Sequence, residues 1–322
     1  MMPSRPALLL FIVLVALVAS LLPANIAQTT PVRDRLPLQN KDIEIGQPAT
    51  YTPELEGYDK KGNPIYWHPK PHVVPLGDGK YAFKWTGHSG RELTLLYQRP
   101  DVVDVIVEAD VVLTPQNHLS YKYLVQNLKT SKQNLGGFEV RTFSATVKPQ
   151  SSPSFYATDP AHIRQDIDPI RDGLWIRFAP LGSRTQIRPG QTVVFALTSP
   201  DPPGILECRA HADTLTMMGV GEEPPGVLED LYLRRDAWPH GYTIGPDERV
   251  AKMTLEQRLK YLVEHLPQML ELGWIEDKAT MECYKDKLHA GKAAEARVRA
   301  QRDFAKDLIT SEVLALITYL TR

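Results

Sequence analysis

The stretch Leu119-Ser120-Tyr121-Lys122-Tyr123-Leu124-Val125 decides the fold class of this protein. An apolar or aromatic residue stands at every second position, which is the pattern of a β-strand with one face buried and one face in water. Similar segments recur along the middle of the chain, separated by glycine, proline or asparagine, and no helical pattern intervenes. Together they predict an antiparallel β-sandwich. The other segments are residues 81–85, 93–97, 102–113, 138–143, 173–178, 191–197 and 204–208.

A helical period replaces this alternation near the C-terminus. Leu259, Leu262 and Leu266 recur at helical spacing, and Thr254 with Gln257 has the pattern of a capping box. The amphipathic stripes and short connections predict a small antiparallel helical bundle. The predicted helices run from 255 to Gly273, from 277 to 290, from 292 to 309, and onward from a cap at Ser311.

Two hairpin-like stretches carry a resemblance to a protein family. Tyr121–Asn127 with Ser131 and Gly137–Val140, and then Ile187–Thr192, are similar to strand pairs of exported, mostly uncharacterised bacterial proteins. The resemblance covers about residues 81–211 and implies an immunoglobulin-like β-sandwich, without implying any chemistry.

The same two stretches also allow a physical interpretation. Pro189-Gly190 is suited to a tight turn, and Asn127 is suited to bonding local backbone where a strand leaves its sheet.

The C-terminal helices carry a second resemblance. Gly273-Trp274-Ile275, Lys287-Leu288, Phe304 and Ile309 resemble the two-helix FIMAH module found at the C-terminus of secreted bacterial proteins. This chain departs from that pattern because Leu308–Ser311 lacks the second Gly-Ile step. The resemblance implies an accessory interaction element and no catalysis.

These observations predict an α+β chain in which an antiparallel immunoglobulin-like β-sandwich precedes the helical bundle. The predicted parts are a signal peptide over 1–27, an extended lead-in over 28–78, the β-sandwich over 79–221, a linker rich in proline and glycine over 222–252, and the helical module over 253–322.

The first residues predict export. Arg5 precedes an apolar run over 7–22, and the small residues of 24–27 follow it, which is the order of regions in a secretory signal peptide. Cleavage is expected after Ala27, and Ala24 stays open as an alternative site. An uncleaved N-terminal anchor is the other interpretation, although this run is shorter than the roughly 20 residues that span a bilayer.

Composition narrows the classes of partner. The chain has 37 basic and 38 acidic side chains, giving a formal net charge of -1. This balance provides no global attraction for nucleic acid. We expect the protein itself to be periplasmic or extracellular. Its expected partner is an unidentified envelope or extracellular protein or polysaccharide, and a membrane only if the N-terminal segment is retained.

The two cysteines leave two interpretations open. Cys208 and Cys283 could form a disulfide in an oxidising compartment, or they could be separate buried thiols. Neither has a neighbour at metal-ligand spacing, and no phosphate-binding or dinucleotide motif occurs. We predict no catalytic, cofactor-binding or metal-ligating residue.

The tryptophans supply the candidate ligand contacts. Trp67 and Trp238 lie in loop-like sequence and are candidates for exposed contact with a ligand, whereas Trp85, Trp175 and Trp274 are expected to be core anchors.

Three further motifs are interpreted as loops or turns. Gly87-His88-Ser89-Gly90 predicts a hairpin turn rather than a nucleophile motif. Tyr242–Pro246 predicts a turn by its composition. Asp159, Asp166, Asp168 and Asp172, interleaved with Arg164 and Arg171, predict a solvated loop, although paired carboxylates could also serve glycoside hydrolysis or calcium.

The sequence therefore favours an exported, non-enzymatic binding or scaffolding protein. Two alternatives stay open. One is a secreted hydrolase acting on polysaccharide, and the other is a subunit of a membrane-associated assembly that keeps its N-terminal anchor.

Overall fold

The computed structural model has an α+β fold in which mostly antiparallel sheets precede C-terminal helices, and this confirms the predicted fold class at that level. All described residues belong to one unit, Leu36–Arg322. The predicted signal peptide over 1–27 and the aspartates between Asp159 and Asp172 lie outside the described residues. The structure describes residues 36–39, 45–48, 52–77, 79–99, 102–150, 155–157, 173–181, 186–212, 217–218, 222, 224–226, 228 and 238–322.

The segments predicted as strands from their alternation are strands in the structure, and further strands lie between and around them. Strand bounds are β1 (Glu54–Tyr58), β2 (Pro64–Trp67), β3 (His72–Gly77), β4 (Lys80–Thr86), β5 (Glu92–Gln98), β6 (Val105–Leu113), β7 (Leu119–Asn127), β8 (Leu135–Thr142), β9 (Lys148–Gln150), β10 (Phe155–Ala157), β11 (Leu174–Pro180), β12 (Thr192–Ser199), β13 (Pro203–Ala212), β14 (Met217–Met218) and β15 (His240–Pro246).

The strands of the described residues form three larger sheets and one separate hairpin. A five-stranded sheet has the order β10-β11-β8-β13-β15, and a four-stranded sheet has the order β6-β7-β12-β9. A second four-stranded sheet has the order β14-β5-β4-β3, and β1 pairs with β2 alone. Every pairing between these described strands is antiparallel.

Aromatic side chains join the five-stranded sheet to the sheet that contains β7. The ring of Tyr123 on β7 lies 5.6 Å from that of Phe138 on β8. The ring of Phe195 on β12 stacks at 4.8 Å on that of Phe178 on β11. All four side chains are buried, so the two sheets share one hydrophobic core.

Two of the predicted local features are confirmed. Gly190 has a φ of +83°, and Gln191 donates its backbone N–H to the Arg188 carbonyl at 3.0 Å, so Pro189-Gly190 does form a tight turn. The buried Asn127 amide donates to two backbone carbonyls where β7 ends, those of Gln133 at 3.0 Å and Ile187 at 2.9 Å.

The helices begin close to the predicted residues, but the helix predicted over 292–309 ends at Phe304, before Asp307 with its positive φ of 59°. Thr254 and Gln257 form the predicted capping box, and Gly273 has a φ of +68° just beyond the first long helix. The last helix differs slightly, since its N-cap is Thr310 and Ser311 is its first residue. Helix bounds are α1 (Glu248–Ala251), α2 (Leu255–Glu271), α3 (Lys278–His289), α4 (Ala293–Phe304) and α5 (Ser311–Leu320).

The segment predicted as a linker contributes a strand. Tyr242–Pro246, predicted as a turn, lies in β15 and pairs with β13 at the edge of the five-stranded sheet. The composition is typical of a turn, but Gly245 lies within a strand, where the absence of a side chain lets Leu206 and Tyr123 pack close to its backbone. A Cβ at Gly245 would lie 3.0 Å from the Leu206 side chain and 3.3 Å from the Tyr123 hydroxyl.

The helices pack into the same hydrophobic core as the sheets. Val313, Leu316 and Leu320 of α5 are fully buried in the cluster that contains Tyr123 and Phe138. The hydrophobic core thus includes residues on both sides of the predicted linker at 222–252. The division of the chain into two domains at this linker remains a prediction. Within the described residues, no helix has both the length and the apolar character needed to cross a membrane.

Candidate functional site

The outer face of the five-stranded sheet carries a row of alternating charge. Antiparallel register places Arg177 of β11 beside Glu139 of β8, Glu139 beside Arg209 of β13, and Arg209 beside His240 of β15. The row lies on the outer face because successive strand residues point to opposite sides. Their chain neighbours Ile176, Val140 and Cys208 are fully buried in the core below.

Glu139 is the centre of this row. Its side chain is only 2% exposed, and its Oε2 accepts from Arg209 at 2.7 Å (Nε) and 2.6 Å (Nη2). Arg177 approaches the other carboxylate oxygen at 3.8 Å. Burying a carboxylate this deeply is unfavourable without a cation beside it, and Arg209 supplies the close ion pair.

Two tryptophans flank Arg209. Its guanidinium carbon lies 3.9 Å from the centre of the Trp175 ring and 5.2 Å from the centre of the Trp238 ring, both within the range of cation–π attraction. The His211 ring lies 4.4 Å from that of Trp238. Both indole rings therefore already contact the Arg209 guanidinium within the protein, and the Trp238 ring also contacts His211.

His211 has a hydrogen-bond partner at each ring nitrogen. Its Nδ1 lies 3.1 Å from the Ala212 carbonyl, which only accepts, and its Nε2 lies 3.2 Å from Arg177 Nη2, which only donates. These two contacts match the tautomer that carries its proton on Nδ1. Gly137 makes room for the ring, since a Cβ there would lie 2.4 Å from His211 Nε2.

A second row runs beside the first on the same face. Trp175 pairs with Arg141, and Arg141 Nη1 lies 3.0 Å from Glu207 Oε2 on the next strand. Tyr242 of β15 lies opposite Glu207, and its side chain is 41% exposed. We call the two rows together with Trp238 and His211 the arginine–tryptophan face.

The two tryptophans predicted as ligand contacts differ in the structure. Trp67 is buried, with 7% of its surface exposed, and its Nε1 donates to the Thr86 carbonyl at 2.8 Å, so the prediction that it lies exposed is wrong. Trp238 is half-buried and belongs to the arginine–tryptophan face. Trp175, predicted as a core anchor, is also half-buried and lies on this face.

The remaining residues of the face were not singled out by the sequence analysis. Glu139, Arg177, Arg209 and His211 each occupy the polar phase of a strand, and that pattern predicts a wet face. These side chains are brought together by the strand order β11-β8-β13-β15, and this order cannot be predicted from local sequence patterns.

The cysteines are separate thiols. Cys208 is fully buried on β13, Cys283 is half-buried on α3, and neither is paired, so the disulfide alternative is not realised in this structure. Burial is the main cause that raises the pKa of the Cys208 thiol. Within the part of the chain that the structure describes, no group of three or more potential ligands could hold a metal ion.

Comparisons with known proteins provide little beyond this geometry. No protein-family description and no curated protein matches the chain. The chain is similar to an uncharacterised protein from Nocardia farcinica whose crystal structure reveals an immunoglobulin-like fold, with 13% identity, a TM-score of 0.26, and coverage of 42% of this chain and 95% of that one. This TM-score is too low to define a shared fold, and the FIMAH resemblance has no support in these comparisons.

Proposed function

We propose that the protein is an exported, non-enzymatic binding protein that contacts a protein partner through its arginine–tryptophan face. The single observation that carries this proposal is the fixed arrangement of Trp175, Arg209 and Trp238 around the buried carboxylate of Glu139. Export is proposed from the apolar run over 7–22 and the small residues that follow it.

The proposed architecture beneath this face is an immunoglobulin-like β-sandwich. In its support, the five-stranded sheet and the sheet of β6, β7, β12 and β9 share an aromatic core, and the pairings within each sheet are antiparallel. A sandwich would give the arginine–tryptophan face a rigid base.

The chemistry of the face favours a protein partner. Tryptophan, tyrosine and arginine are the residue types that carry most binding energy in protein interfaces. Ion pairing and stacking hold Arg209 in place before binding, which lowers the conformational entropy lost on association. A polysaccharide is less favoured, because stacking on a sugar needs an open ring face and Arg209 and His211 already contact the Trp238 ring.

Site-specific photo-crosslinking in the native host tests this proposal. A photoreactive phenylalanine replaces Tyr242 on the face, and a matched probe replaces Val298, which is 68% exposed on α4. We expect a discrete higher-mass adduct from the Tyr242 probe alone, and its loss when Arg209→Ala is added. Equal adducts from both probes, or none from the Tyr242 probe in correctly exported protein, would overturn the proposed binding face.

Export and cleavage of the signal peptide are tested by a separate measurement. Intact mass of the protein recovered outside the cytoplasm should show a chain that begins near Gln28. An exported chain that still carries Met1 would contradict cleavage and favour the anchored assembly subunit.

A further inference from the structure

The β1–β2 hairpin forms an arm, and hydrogen bonds within the hairpin stabilise its turn. Asp59 Oδ1 accepts the backbone N–H groups of Lys61 at 2.7 Å and Asn63 at 2.8 Å, and Gly62 has a φ of +83° at the tip. Of the nine residues in its two strands, all of which the structure describes, Trp67 alone is buried. A two-stranded hairpin has marginal stability by itself, so its position depends on a few contacts at its base.

His88 makes two of those contacts, one to each strand of the arm. Its Nδ1 forms a short hydrogen bond with the Glu56 carboxylate of β1. Its ring stacks on the Trp67 ring of β2, with ring centres 4.2 Å apart and an interplanar angle of 25°. The His88 side chain is 54% exposed, so solvent reaches the ring.

The turn that carries His88 is held from its other side. The backbone N–H of His88 donates to Glu222 Oε2 at 2.6 Å, and Gly87 lets this carboxylate approach, since a Cβ there would lie 2.4 Å from the same oxygen. His88 is therefore also held by a contact that does not involve the arm.

We propose that protonation of His88 fastens the β1–β2 arm to the rest of the protein, so that the arm responds to pH. A protonated imidazole forms an ion pair with Glu56, and it gains cation–π attraction to the Trp67 ring. The neutral imidazole keeps at most one hydrogen bond to Glu56. Both contacts of the ring to the arm are thus stronger in the charged form.

The second carboxylate in contact with His88 acts in the same direction as Glu56. Glu222 is a second carboxylate at the His88 backbone and also favours the imidazolium. Arg91 lies three residues along the chain from His88, and Lys84 is paired with Glu92 at 3.1 Å on the adjoining strands. On β2, the residue in contact with His88 is Trp67, which carries no charge.

The direction of the pH dependence follows from the charge of the imidazole. Histidine is the side chain whose charge ordinarily changes between about pH 5 and 8. We therefore expect the arm to be fastened more firmly at the acidic end of this interval than at its basic end.

Hydrogen exchange of the full chain tests the arm directly. Amide protection across residues 54–67 is measured at pH 5.5 and 7.5 and corrected for intrinsic exchange. We expect protection to fall about two- to fivefold at the higher pH, the range given by exposed ion pairs. His88→Gln, whose amide can still donate to Glu56 but cannot become charged, should show the same low protection at both pH values.

Two results would overturn the proposal. One is equal protection of the wild-type arm at both pH values, and the other is the same pH-dependent fall in His88→Gln. If His88→Gln fails to fold, Glu56→Gln replaces it, and the fall with pH should then be reduced. A full-sized fall in Glu56→Gln would contradict the ion pair as its cause.

Discussion

The backbone N–H of Ala109 donates to the Glu312 carboxylate at 2.7 Å, joining residues 203 positions apart in the chain. Ala109 lies on β6, the edge strand of its sheet, and Glu312 lies in the first turn of α5. The Tyr319 hydroxyl, also on α5, donates to the Val111 carbonyl at 3.4 Å. Side chains of a helix thus satisfy groups of an edge strand that would otherwise be open to strand addition.

Removing the Glu312 carboxylate should destabilise the protein. Glu312→Ala leaves the Ala109 N–H buried without this acceptor, and we expect the free energy of unfolding to fall by about 1–3 kcal/mol. Glu312→Gln should lose less, because an amide oxygen can accept the same bond. Urea denaturation measures both, with Glu271→Ala at the exposed end of α2 as the matched control. An alanine variant as stable as the control would show that this contact contributes nothing.

The shared core leads to a prediction about truncation. A fragment of residues 28–221 lacks β15, which pairs with β13 over seven positions, and it lacks the buried side chains of α5. Although the sequence favours an independent sandwich, we expect this fragment to show no cooperative thermal transition and to bind a hydrophobic dye. Residues 28–322 serve as the control and should melt cooperatively. A cooperative, β-type melt of the fragment would support the sequence-based domain division.

Local signals account for most elements of this fold, and their limits have physical causes. Alternation in Leu119–Val125 and the capping box at Thr254 depend on neighbours in sequence, so strands and helices could be predicted from them. Strand β15 was missed because Gly245 and Pro246 are typical of turns, and the need for a glycine beside Leu206 and Tyr123 arises only in the folded state.

The arginine–tryptophan face was even less accessible to sequence reasoning. Trp238 was identified as a candidate, but Glu139, Arg177 and Arg209 come together only through the order of strands in the sheet. Trp67 shows the opposite error. Its proline-rich surroundings indicate an exposed loop, whereas β2 and the Thr86 carbonyl hold its indole in a buried position.

The two thiols should differ in reactivity. Cys208 is fully buried and its pKa is raised mainly by burial, so little reactive thiolate forms, whereas Cys283 is half-buried on α3. We expect an aromatic disulfide reagent to titrate one thiol per native chain and two in urea. Cys283→Ser should abolish the native reaction, and Cys208→Ser should leave it intact. Recovery of a protein with no thiol in urea before reduction would establish the disulfide instead.

The N-cap of α3 provides a pH-dependent contribution to stability. Asp277 accepts the backbone N–H of Thr280 at 2.8 Å and its hydroxyl at 2.9 Å. These two bonds, the backbone one first, hold the pKa of Asp277 below its ordinary value of 3.8. A lowered carboxyl pKa stabilises the fold above that ordinary value, and the stabilisation is lost as pH falls through the lowered pKa.

Asp277→Asn isolates this effect, because asparagine still caps a helix but carries no charge. We expect the variant to be less stable than the wild type at pH 7 and the difference to shrink as pH falls below 3.8. Urea midpoints measured across this range provide the comparison. A difference that stays constant down to strongly acidic pH would mean that the charge of Asp277 contributes nothing.

The stacked arrangement around Arg209 should require arginine rather than positive charge alone. Arg209 bonds Glu139 through two nitrogens while its flat guanidinium lies over the Trp175 ring, and lysine can reproduce the charge but neither the fork nor the flat stacking surface. Because Arg209 is 16% exposed, solvent screening reduces the effect. We expect Arg209→Lys to lower the free energy of unfolding by about 1 kcal/mol and Arg209→Ala to lower it by about 2–3 kcal/mol. The alanine variant loses more because it also leaves the buried Glu139 with only the more distant Arg177 as a described cationic partner. Urea denaturation measures both, beside Arg302→Lys on α4, where the side chain is 58% exposed and little change is expected. If Arg209→Lys were as stable as wild type, charge alone would hold the face together, and the stacking between Arg209 and the tryptophans would not be what fixes its geometry.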